Sequence, residues 1–384
     1  MAKLAENVSQ RRTRVAVSVF FFLAGLCFAS WASRIPNIQQ KLQLNEAAWG
    51  GILLALPIGL MVSLPFSGVL VARFGSRRMV IISACLYACI LPLLGLATNV
   101  WQLCTILFCY GFAGNIMNIS INTQAVGIEM IYERSIMASF HGVWSVAGFT
   151  GALIGTFMVS RNFTPFIHFC IIAALELLIV FIFYRYTLKE DTQHEGEHPL
   201  FAKPDKFLLK LGLIAFCCMI CEGTMFDWSG IYFQKVVAPP KEMVTLGYTA
   251  FMCTMAGGRF AGDWLSEKLG KKTMIQFSGL VIAAGLLVSV IFPYLVPATI
   301  GFLLVGLGVS SVVPLIYATA GKSATMPAGV AIAATSTIGY FGFLFGPPLI
   351  GFIAEASNLR WSFSLIALLG FCTTLLATVS RIEK

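Results

Sequence analysis

Two carboxylates, Glu222 and Asp227, stand in a stretch of this 384-residue sequence that is otherwise apolar. They belong to the segment CEGTMFDWSG (221–230), which follows the apolar run LLKLGLIAFCCMI (208–220). A carboxylate at bilayer depth is costly, so it usually faces a cavity, a polar ligand or a partner charge. We therefore predict that both acids take part in proton coupling or solute binding. A protonated, hydrogen-bonded structural acid is the alternative for Glu222.

The geometry of a helix separates these two acids. Five residues correspond to about 140° around a regular helix, so the two side chains should not face one point. At about 1.5 Å per residue, Glu222 lies somewhat past the middle of its span and Asp227 near its outer end. We expect two different environments for the two carboxylates.

Three amides lie close together on another apolar segment, GNIMNISINTQ (114–124). Asn115, Asn118 and Asn122 fall within about 60° at 100° per residue. Amides within a membrane need donors and acceptors opposite them, and a polyhydroxylated solute supplies both. We predict solute contact, with Asn122 favoured and Asn118 next; hydrogen bonding between helices is the alternative.

Four aromatic or titratable side chains are further candidates. In FHGVWSVAG (140–148), His141 and Trp144 share a helix face. An imidazole can carry a proton at neutral pH and an indole can stack on a sugar ring, but both could instead be structural. For Trp31 and Trp228, solute binding competes with a position in the interfacial aromatic belt, and we favour the belt.

The elements that must position these groups are membrane-spanning helices. The chain is 58% hydrophobic and only 11% charged, whereas soluble domains carry about 25% charged residues. Apolar runs of about 20 residues, enough for one span each, recur along the whole length. We predict an all-α integral membrane protein with twelve transmembrane helices near 15–34, 48–72, 78–98, 101–127, 136–159, 165–186, 207–233, 243–265, 273–293, 296–319, 328–353 and 361–380.

Basic residues indicate the orientation. An even number of spans places both chain termini on the same side of the membrane. Of the 26 Lys and Arg residues, 19 lie on that side, six lie on the opposite side, and one, Arg259, lies within a span. We predict cytoplasmic termini in a bacterial inner membrane, and the net charge of +9 reflects this bias instead of nucleic-acid binding.

The sequence contains a weak internal repeat. GVLVARFGSRR (68–78) aligns with DWLSEKLGKKT (263–273) at an offset of 195, so that Gly75 matches Gly270. Gly111 matches Gly306 at the same offset, and Trp31 matches Trp228 at 197. We predict an N-terminal half (1–187), a cytoplasmic linker (188–206) and a C-terminal half (207–384), each half with six helices. At offset 195 Tyr317 matches Asn122 and becomes a further solute-binding candidate.

The segment GVLVARFGSRR resembles the loop motif G-x-L-x-D-R-x-G-R-[RK] of the major facilitator superfamily. Ala72 stands where the motif has Asp, and the second copy keeps an acid, Glu267, but has Asp263 where the motif begins with Gly. In that family the loop pairs charges across the cytoplasmic ends of helices. The resemblance therefore implies gating roles for Arg73, Asp263 and Glu267. Because the first copy lacks the Asp of the motif, its cytoplasmic helix ends must close in a different way.

Two arginines are further gating candidates. Arg259 lies four residues before Asp263, a spacing that allows an ion pair, and a structural or gating role outweighs solute binding there. The match of SWAS with DWSG places Arg34 and Asp227 near the outer ends of equivalent helices. We predict that these two side chains can pair as an extracellular gate.

A narrower resemblance concerns the MosC-like branch of the same superfamily. It rests on ASWASRIP (29–36), FHGVWSVAG, EGTMFDW (222–228), GGRFAGD (257–263) and GYFGFLFGPPLIGFIAE (339–355). The resemblance implies secondary active transport of a small polar solute of the sugar, cyclitol or amino-cyclitol type, by alternating access of a site between the halves. It also implies that the seventh span lines the central cavity.

The sequence predicts no enzyme and no cofactor. None of the nucleotide-binding, zinc-protease or serine-hydrolase motifs stands in a suitable context, and two of the four His lie in the charged linker, so we expect no metal site. The expected partners are a small solute, a proton and membrane lipid, with no nucleic acid, and we expect a monomer. Proton-driven efflux of amphipathic compounds and solute sensing without transport remain alternative functions.

Overall fold

The structure is a computed structural model that describes the backbone of residues 2–132, 136–189, 204–323, 325–326, 328–380 and 382. The side chains of residues 2–9, 138, 263 and 328–329 lie outside that description, as does most of the predicted linker. Within the described residues there are thirteen α-helices and no strand. They are α1 (Ala2–Lys41), α2 (Glu46–Leu53), α3 (Ala55–Phe74), α4 (Ser76–Leu96), α5 (Val100–Tyr132), α6 (Met137–Ser160), α7 (Pro165–Phe183), α8 (Lys206–Tyr232), α9 (Leu246–Leu269), α10 (Lys271–Ile291), α11 (Leu295–Ala320), α12 (Ala328–Ala356) and α13 (Leu359–Val379).

The helices agree with the predicted membrane spans. Eleven helical segments of the described chain are long and apolar enough to cross a membrane. A helix of 24 residues, α9, occupies the position of the remaining predicted span. The prediction of an all-α integral membrane protein is confirmed.

One predicted span contains a break. The span expected at 48–72 is present as Glu46–Phe74, but it consists of two helices, α2 and α3, which meet at Leu54. Pro57 explains the break, because proline has no backbone N–H to donate to the carbonyl of Leu53 four residues earlier. A continuous helix is therefore interrupted in its first part.

The described residues form two compact units. The first lies within Met1–Gln43 and Ala55–His194, and the second within Leu44–Leu54 and Glu195–Lys384. In the first unit α1 packs against α4, α5, α6 and α7, and α3 packs against α5; in the second unit α8 packs against α9, α11, α12 and α13. Chain order assigns α2 to the N-terminal half, whereas its contacts group it with the second unit. There Glu46 forms a 2.6 Å ion pair with Lys235.

The internal repeat is visible in the backbone of each unit. Gly75 and Gly270 have φ angles of 83° and 81°, a conformation that favours glycine, and each precedes a helix, α4 or α10. Gly111 lies against the carbonyl of Leu56, and its repeat equivalent Gly306 lies against the carbonyl of Phe251. The aligned glycines therefore make equivalent turns and equivalent close helix contacts.

The start of α8 gives a prediction about pH. The Asp205 side chain accepts hydrogen bonds from the backbone N–H groups of Leu208 at 2.8 Å and Phe207 at 2.9 Å, and from the Thr325 hydroxyl at 2.7 Å. These bonds, that from Leu208 first, hold the pKa of Asp205 below its usual value. The stabilisation is therefore present above the unfolded-state pKa of about 3.9 and is lost as pH falls through the lower, folded-state pKa.

We expect Asp205→Ala to lower the free energy of unfolding by about 1 kcal/mol at neutral pH, because a helix N-cap is lost. The difference from wild type should shrink as the pH is lowered below the usual range of a carboxyl group. Thermal unfolding of the purified full chain, measured against pH, checks this. Asp205→Asn is the matched control, since it keeps a capping oxygen without a titrating carboxyl. A difference that stays constant into strong acid would contradict the assignment.

Candidate functional site

The buried acid Glu222 lies beside a basic residue from the next helix. Its Oε1 atom is 3.6 Å from Nη2 of Arg259, on α9, and the two side chains are 8% and 19% exposed. The separation exceeds that of a well-formed hydrogen bond, so the pair is held by charge more than by fixed donor geometry. Such a pair can open without first breaking a tight bidentate contact.

Two tyrosines complete the surroundings of Glu222. The carboxylate interacts electrostatically with the hydroxyls of Tyr317 on α11 and Tyr340 on α12. The Tyr317 hydroxyl also donates to the sulfur of Met219 at 3.9 Å, one turn before Glu222 on α8. The structure thus brings together the predicted candidates Glu222, Arg259 and Tyr317. We call these three residues the Glu222 cluster. It combines a proton-binding group, a fixed cation and a hydroxyl.

The other predicted acid of α8, Asp227, has a separate environment. It is half-buried, and it interacts electrostatically with Tyr248 of α9, whose hydroxyl is buried without a hydrogen-bond partner. The expectation that the two carboxylates of α8 have different surroundings agrees with these neighbours. A proton or solute role for Asp227 stays a prediction.

The predicted gating residues have varied positions. The side chain of Asp263 lies outside the described residues, so its predicted ion pair with Arg259 stays a prediction. Arg73 and Glu267 are exposed, and the Arg73 guanidinium lies 5.4 Å from the ring centre of Phe74. Gating roles for these residues also stay predictions.

The three amides of α5 do not have equivalent surroundings. The buried Asn115 donates through Nδ2 to the hydroxyl of Ser63 on α3 at 2.7 Å, which is the helix-to-helix bond of the alternative interpretation. Asn122 donates to the carbonyl oxygen of Asn118 at 2.7 Å and to its side-chain oxygen at 3.0 Å. Asn118 is exposed and Asn122 half-buried, so these two are better placed for solute contact.

His141 and Trp144 both face α1. The His141 ring lies edge-on to Phe21 at 5.4 Å, and the Trp144 ring lies 6.2 Å from Phe28. The shared helix face that the spacing predicts is therefore present, and it packs partly on aromatic residues of the same unit. Proton coupling by His141 and stacking by Trp144 stay predictions.

The interfacial-belt prediction for Trp31 and Trp228 is wrong. Both side chains are fully buried, whereas belt residues expose their rings at the lipid surface. The physical reason is that other helices enclose α1 and α8 more completely than they enclose the other nine spans found in the described chain. Both indole Nε1 atoms are buried without a hydrogen-bond partner, so solute binding stays a prediction for both residues.

Arg34 has partners inside its own unit that the sequence did not reveal. The side chain is buried, and Nε donates to Nδ1 of His168 on α7 at 3.1 Å, while Nη1 donates to the Asn37 side chain at 3.3 Å. Both partners are neutral acceptors. Pairing of Arg34 with Asp227 stays a prediction. The only sequence signal for His168 is a single histidine near the start of an apolar helix.

Glu176 is a second buried acid that the sequence reasoning missed. It lies on α7, inside the apolar segment PFIHFCIIAALELLIVFIF, and it hydrogen-bonds to Cys27 of α1. The argument that singles out Glu222, a lone carboxylate in an apolar span, applies equally to Glu176. Among the residues that the structure describes, no group of three His, Cys, Asp or Glu side chains could hold a metal ion.

Comparisons with known proteins agree on one family. Residues 16–343 match the family model described as Major Facilitator Superfamily. An uncharacterised MFS-type transporter of Yersinia pestis is 33% identical over 93% of this chain and 92% of its own length. The membrane protein MosC of Rhizobium meliloti is 33% identical over 96% of this chain and 90% of its own length. A solved D-xylose-proton symporter has the same fold, with a TM-score of 0.76 at 12% identity, over 97% of this chain and 98% of that structure.

Proposed function

The chain belongs to the Major Facilitator Superfamily, and from that premise we propose that it moves a small polar solute across a membrane together with a proton. The solute is of the sugar, cyclitol or amino-cyclitol class, and the movement follows alternating access. An ion gradient supplies the energy. The membrane is a bacterial inner membrane with both chain termini on the cytoplasmic side.

The observation that carries this proposal is the Glu222 cluster in the second unit. A lone buried carboxylate would be costly, and here Arg259 at 3.6 Å balances its charge. When Glu222 takes up a proton, its attraction to the Arg259 guanidinium weakens. The guanidinium N–H groups that face Glu222 can then turn to the oxygen atoms of a solute, and Tyr317 offers a hydroxyl beside them.

Proton and solute binding are coupled by this exchange of partners. Protonation of Glu222 strengthens solute binding because it weakens the attraction between Glu222 and Arg259, and by linkage a bound solute strengthens proton binding by the same factor. Loss of the proton restores the Glu222–Arg259 pair and displaces the solute. The cluster therefore provides a coupling device made only of side chains on α8, α9 and α11.

The solute class rests on hydrogen-bonding chemistry and on relatives. A hydroxylated ring offers both donors and acceptors, which suits the guanidinium and hydroxyl of the Glu222 cluster. Within the first unit, taken by itself, Asn118 and Asn122 offer amides of the same hydrogen-bonding character. The solved D-xylose-proton symporter, whose fold this chain shares, is named for a solute of this class. No single residue of the chain identifies one sugar or one cyclitol.

Solute-induced proton movement in reconstituted vesicles tests the proposal. Vesicles with a trapped pH indicator receive D-xylose, inositols or amino-cyclitols, and we expect a pH change with at least one of them, whose sign gives the direction of coupling. Glu222→Gln should abolish the pH change. Glu355→Gln, which alters an exposed acid, is the matched control and should behave as wild type.

Two results would contradict the proposal. Solute transport without proton flux, equal in wild type and Glu222→Gln, would make Glu222 a structural acid. Proton movement with amphipathic compounds and with none of the polar solutes would favour drug efflux in place of sugar or cyclitol transport.

A further inference from the structure

The first unit contains a buried acid that the proposed function does not use. Glu176 is 2% exposed, and it is the only acidic residue among the buried side chains described in that unit. One carboxyl oxygen, Oε1, is buried without a hydrogen-bond partner. The carboxyl group hydrogen-bonds with the Cys27 thiol.

The groups around Glu176 come from three other helices and are neutral. The hydroxyl of Tyr110, on α5, donates to the Cys27 sulfur at 3.3 Å. The rings of Tyr110 and Tyr87, on α4, stack with centres 4.2 Å apart, and the Cys27 thiol lies 3.8 Å from the Tyr87 carbonyl oxygen. Thiol and phenol groups can hydrogen-bond to either form of the carboxyl group, but they supply no charge.

A buried cation lies further along the same pair of helices. Arg34 on α1 meets His168 on α7, and Cys27 on α1 meets Glu176 on α7, so the two helices run antiparallel. At about 1.5 Å per residue, the two contacts are separated by roughly 10–12 Å. The hydroxyls of Ser30 and Ser33 are buried on α1 between them. The α1–α7 interface therefore contains two polar contacts, Arg34 with His168 and Cys27 with Glu176.

Charge balance distinguishes Glu176 from a permanently neutral acid. Arg34 is 1% exposed, and its hydrogen-bond partners His168 and Asn37 are both neutral. His168 accepts from Arg34 through Nδ1, so its own proton is on Nε2. Among the buried side chains described in the first unit, an ionised Glu176 offsets the charge of Arg34, and a protonated Glu176 leaves one net positive charge. The hydrogen bond with the Cys27 thiol favours the carboxylate, whereas the neutral, buried surroundings favour the acid.

We propose that Glu176 is a second proton-binding site of this transporter, in the first unit and independent of the Glu222 cluster. Its proton leaves the carboxyl oxygen as H⁺ without other bond changes, and the carboxylate that remains keeps its hydrogen bond with the Cys27 thiol. The site goes beyond the proposed function, because it allows a second proton to be bound in each transport cycle. It does not depend on which solute is carried.

Infrared difference spectroscopy of the purified full chain tests the proposal with pH as the only probe. Protonated carboxylic acids show a carbonyl-stretch band that carboxylates lack. We expect one such band to grow as the pH falls, to shift in Cys27→Ser and to be absent in Glu176→Gln. Glu222→Gln should remove a different band, so failure of the proposed coupling site and failure of this site give different spectra.

A count of bound protons gives an independent measurement. In a pH jump that stays above the ordinary carboxyl range of about pH 4–5 and is monitored with an indicator dye, Glu176→Gln should take up about one proton fewer per chain than wild type. Glu355→Gln serves as the control for an exposed acid. If the glutamine variant does not fold, Glu176→Asp keeps the carboxyl group and should show a displaced band. A Glu176 band of equal intensity at every pH, or no such band at any pH, would overturn the proposal.

Discussion

Arg259→Gln is expected to lower the free energy of unfolding by about 2–3 kcal/mol and to abolish solute-dependent proton movement. Removal of one partner of a buried ion pair leaves an uncompensated charge, which typically costs 3–5 kcal/mol. We expect a smaller cost here, because the 3.6 Å contact is loose and the Arg259 side chain is 19% exposed. Glu222 can also relieve the charge by keeping a proton.

The double variant Glu222→Gln/Arg259→Gln separates stability from transport. It removes both charges, so its unfolding free energy should recover to within about 1 kcal/mol of wild type, while coupled transport stays absent. A double-mutant cycle on the full chain, measured by chemical or thermal unfolding, gives the interaction energy. Arg259→Lys is the matched control: it keeps the charge but loses the planar fork of donors, and it should retain most of the stability with weakened solute binding.

Strict additivity of the two single variants would contradict this account. In that case the residues contribute independently, and the 3.6 Å approach has no energetic role. Transport by the double variant at wild-type rate would also remove the pair from the coupling mechanism. The cycle therefore tests the central contact of the proposed function without knowledge of the natural solute.

Much of the fold could be predicted because membrane spans and tight turns leave local sequence signals. Apolar length predicts the helices, and the basic residues after Gly75 and Gly270 mark two equivalent turns. The span predicted near 48–72 is present as Glu46–Phe74, but the apolar pattern did not reveal the break between α2 and α3, which Pro57 explains. Residues whose role is set by backbone conformation were therefore easier to predict than the exact ends of helices.

The partners of polar side chains were much harder to predict. Neither Arg34 nor His168 indicates the other, because helix packing brings together residues that are far apart in sequence. The spacing of Arg259 allows a pair with Asp263 on its own helix, which stays a prediction, but it gives no sign that Arg259 also lies beside Glu222 of α8. Local spacing shows which contacts a helix allows within itself and does not reveal competing contacts from neighbouring helices.

Burial was misjudged for a related reason. Tryptophan near the end of an apolar span is typical of the membrane interface, but Trp31 and Trp228 are fully enclosed. Hydropathy alone does not separate the lipid-facing side of a transmembrane helix from its protein-facing side. The same limit applies to Glu176, whose position toward α1 is fixed by packing that no periodicity in its apolar helix reveals.

The glycines of the repeat give the second large prediction. A Cβ atom added at Gly111 would overlap the carbonyl of Leu56, and one added at Gly306 would overlap the carbonyl of Phe251. The obstacle is helix backbone in both cases, so it cannot move aside by a change of rotamer. We expect Gly111→Ala and Gly306→Ala each to lower the free energy of unfolding by about 2 kcal/mol, within the range of overpacked cores. Chemical unfolding of the full chain measures this.

Two other glycines provide matched controls, because alanine at these positions should raise the free energy of unfolding instead of lowering it. A Cβ at Gly68 or Gly257 would meet no atom within 4 Å. Alanine at these helical positions should therefore raise stability by roughly 0.5–1 kcal/mol, because it restricts the unfolded chain more than glycine does. Equal effects at all four positions would show that helix propensity, and not close packing, sets the outcome.

The combined variant Gly111→Ala/Gly306→Ala tests the repeat itself. The contact of Gly111 joins α3 and α5 within the first unit, and the contact of Gly306 joins α9 and α11 within the second unit. Because the two contacts share no residue, their costs should add to about 4 kcal/mol. If Gly111→Ala lowers the free energy of unfolding strongly and Gly306→Ala does not lower it at all, the two units do not depend on equivalent helix contacts, even though the glycines align in sequence.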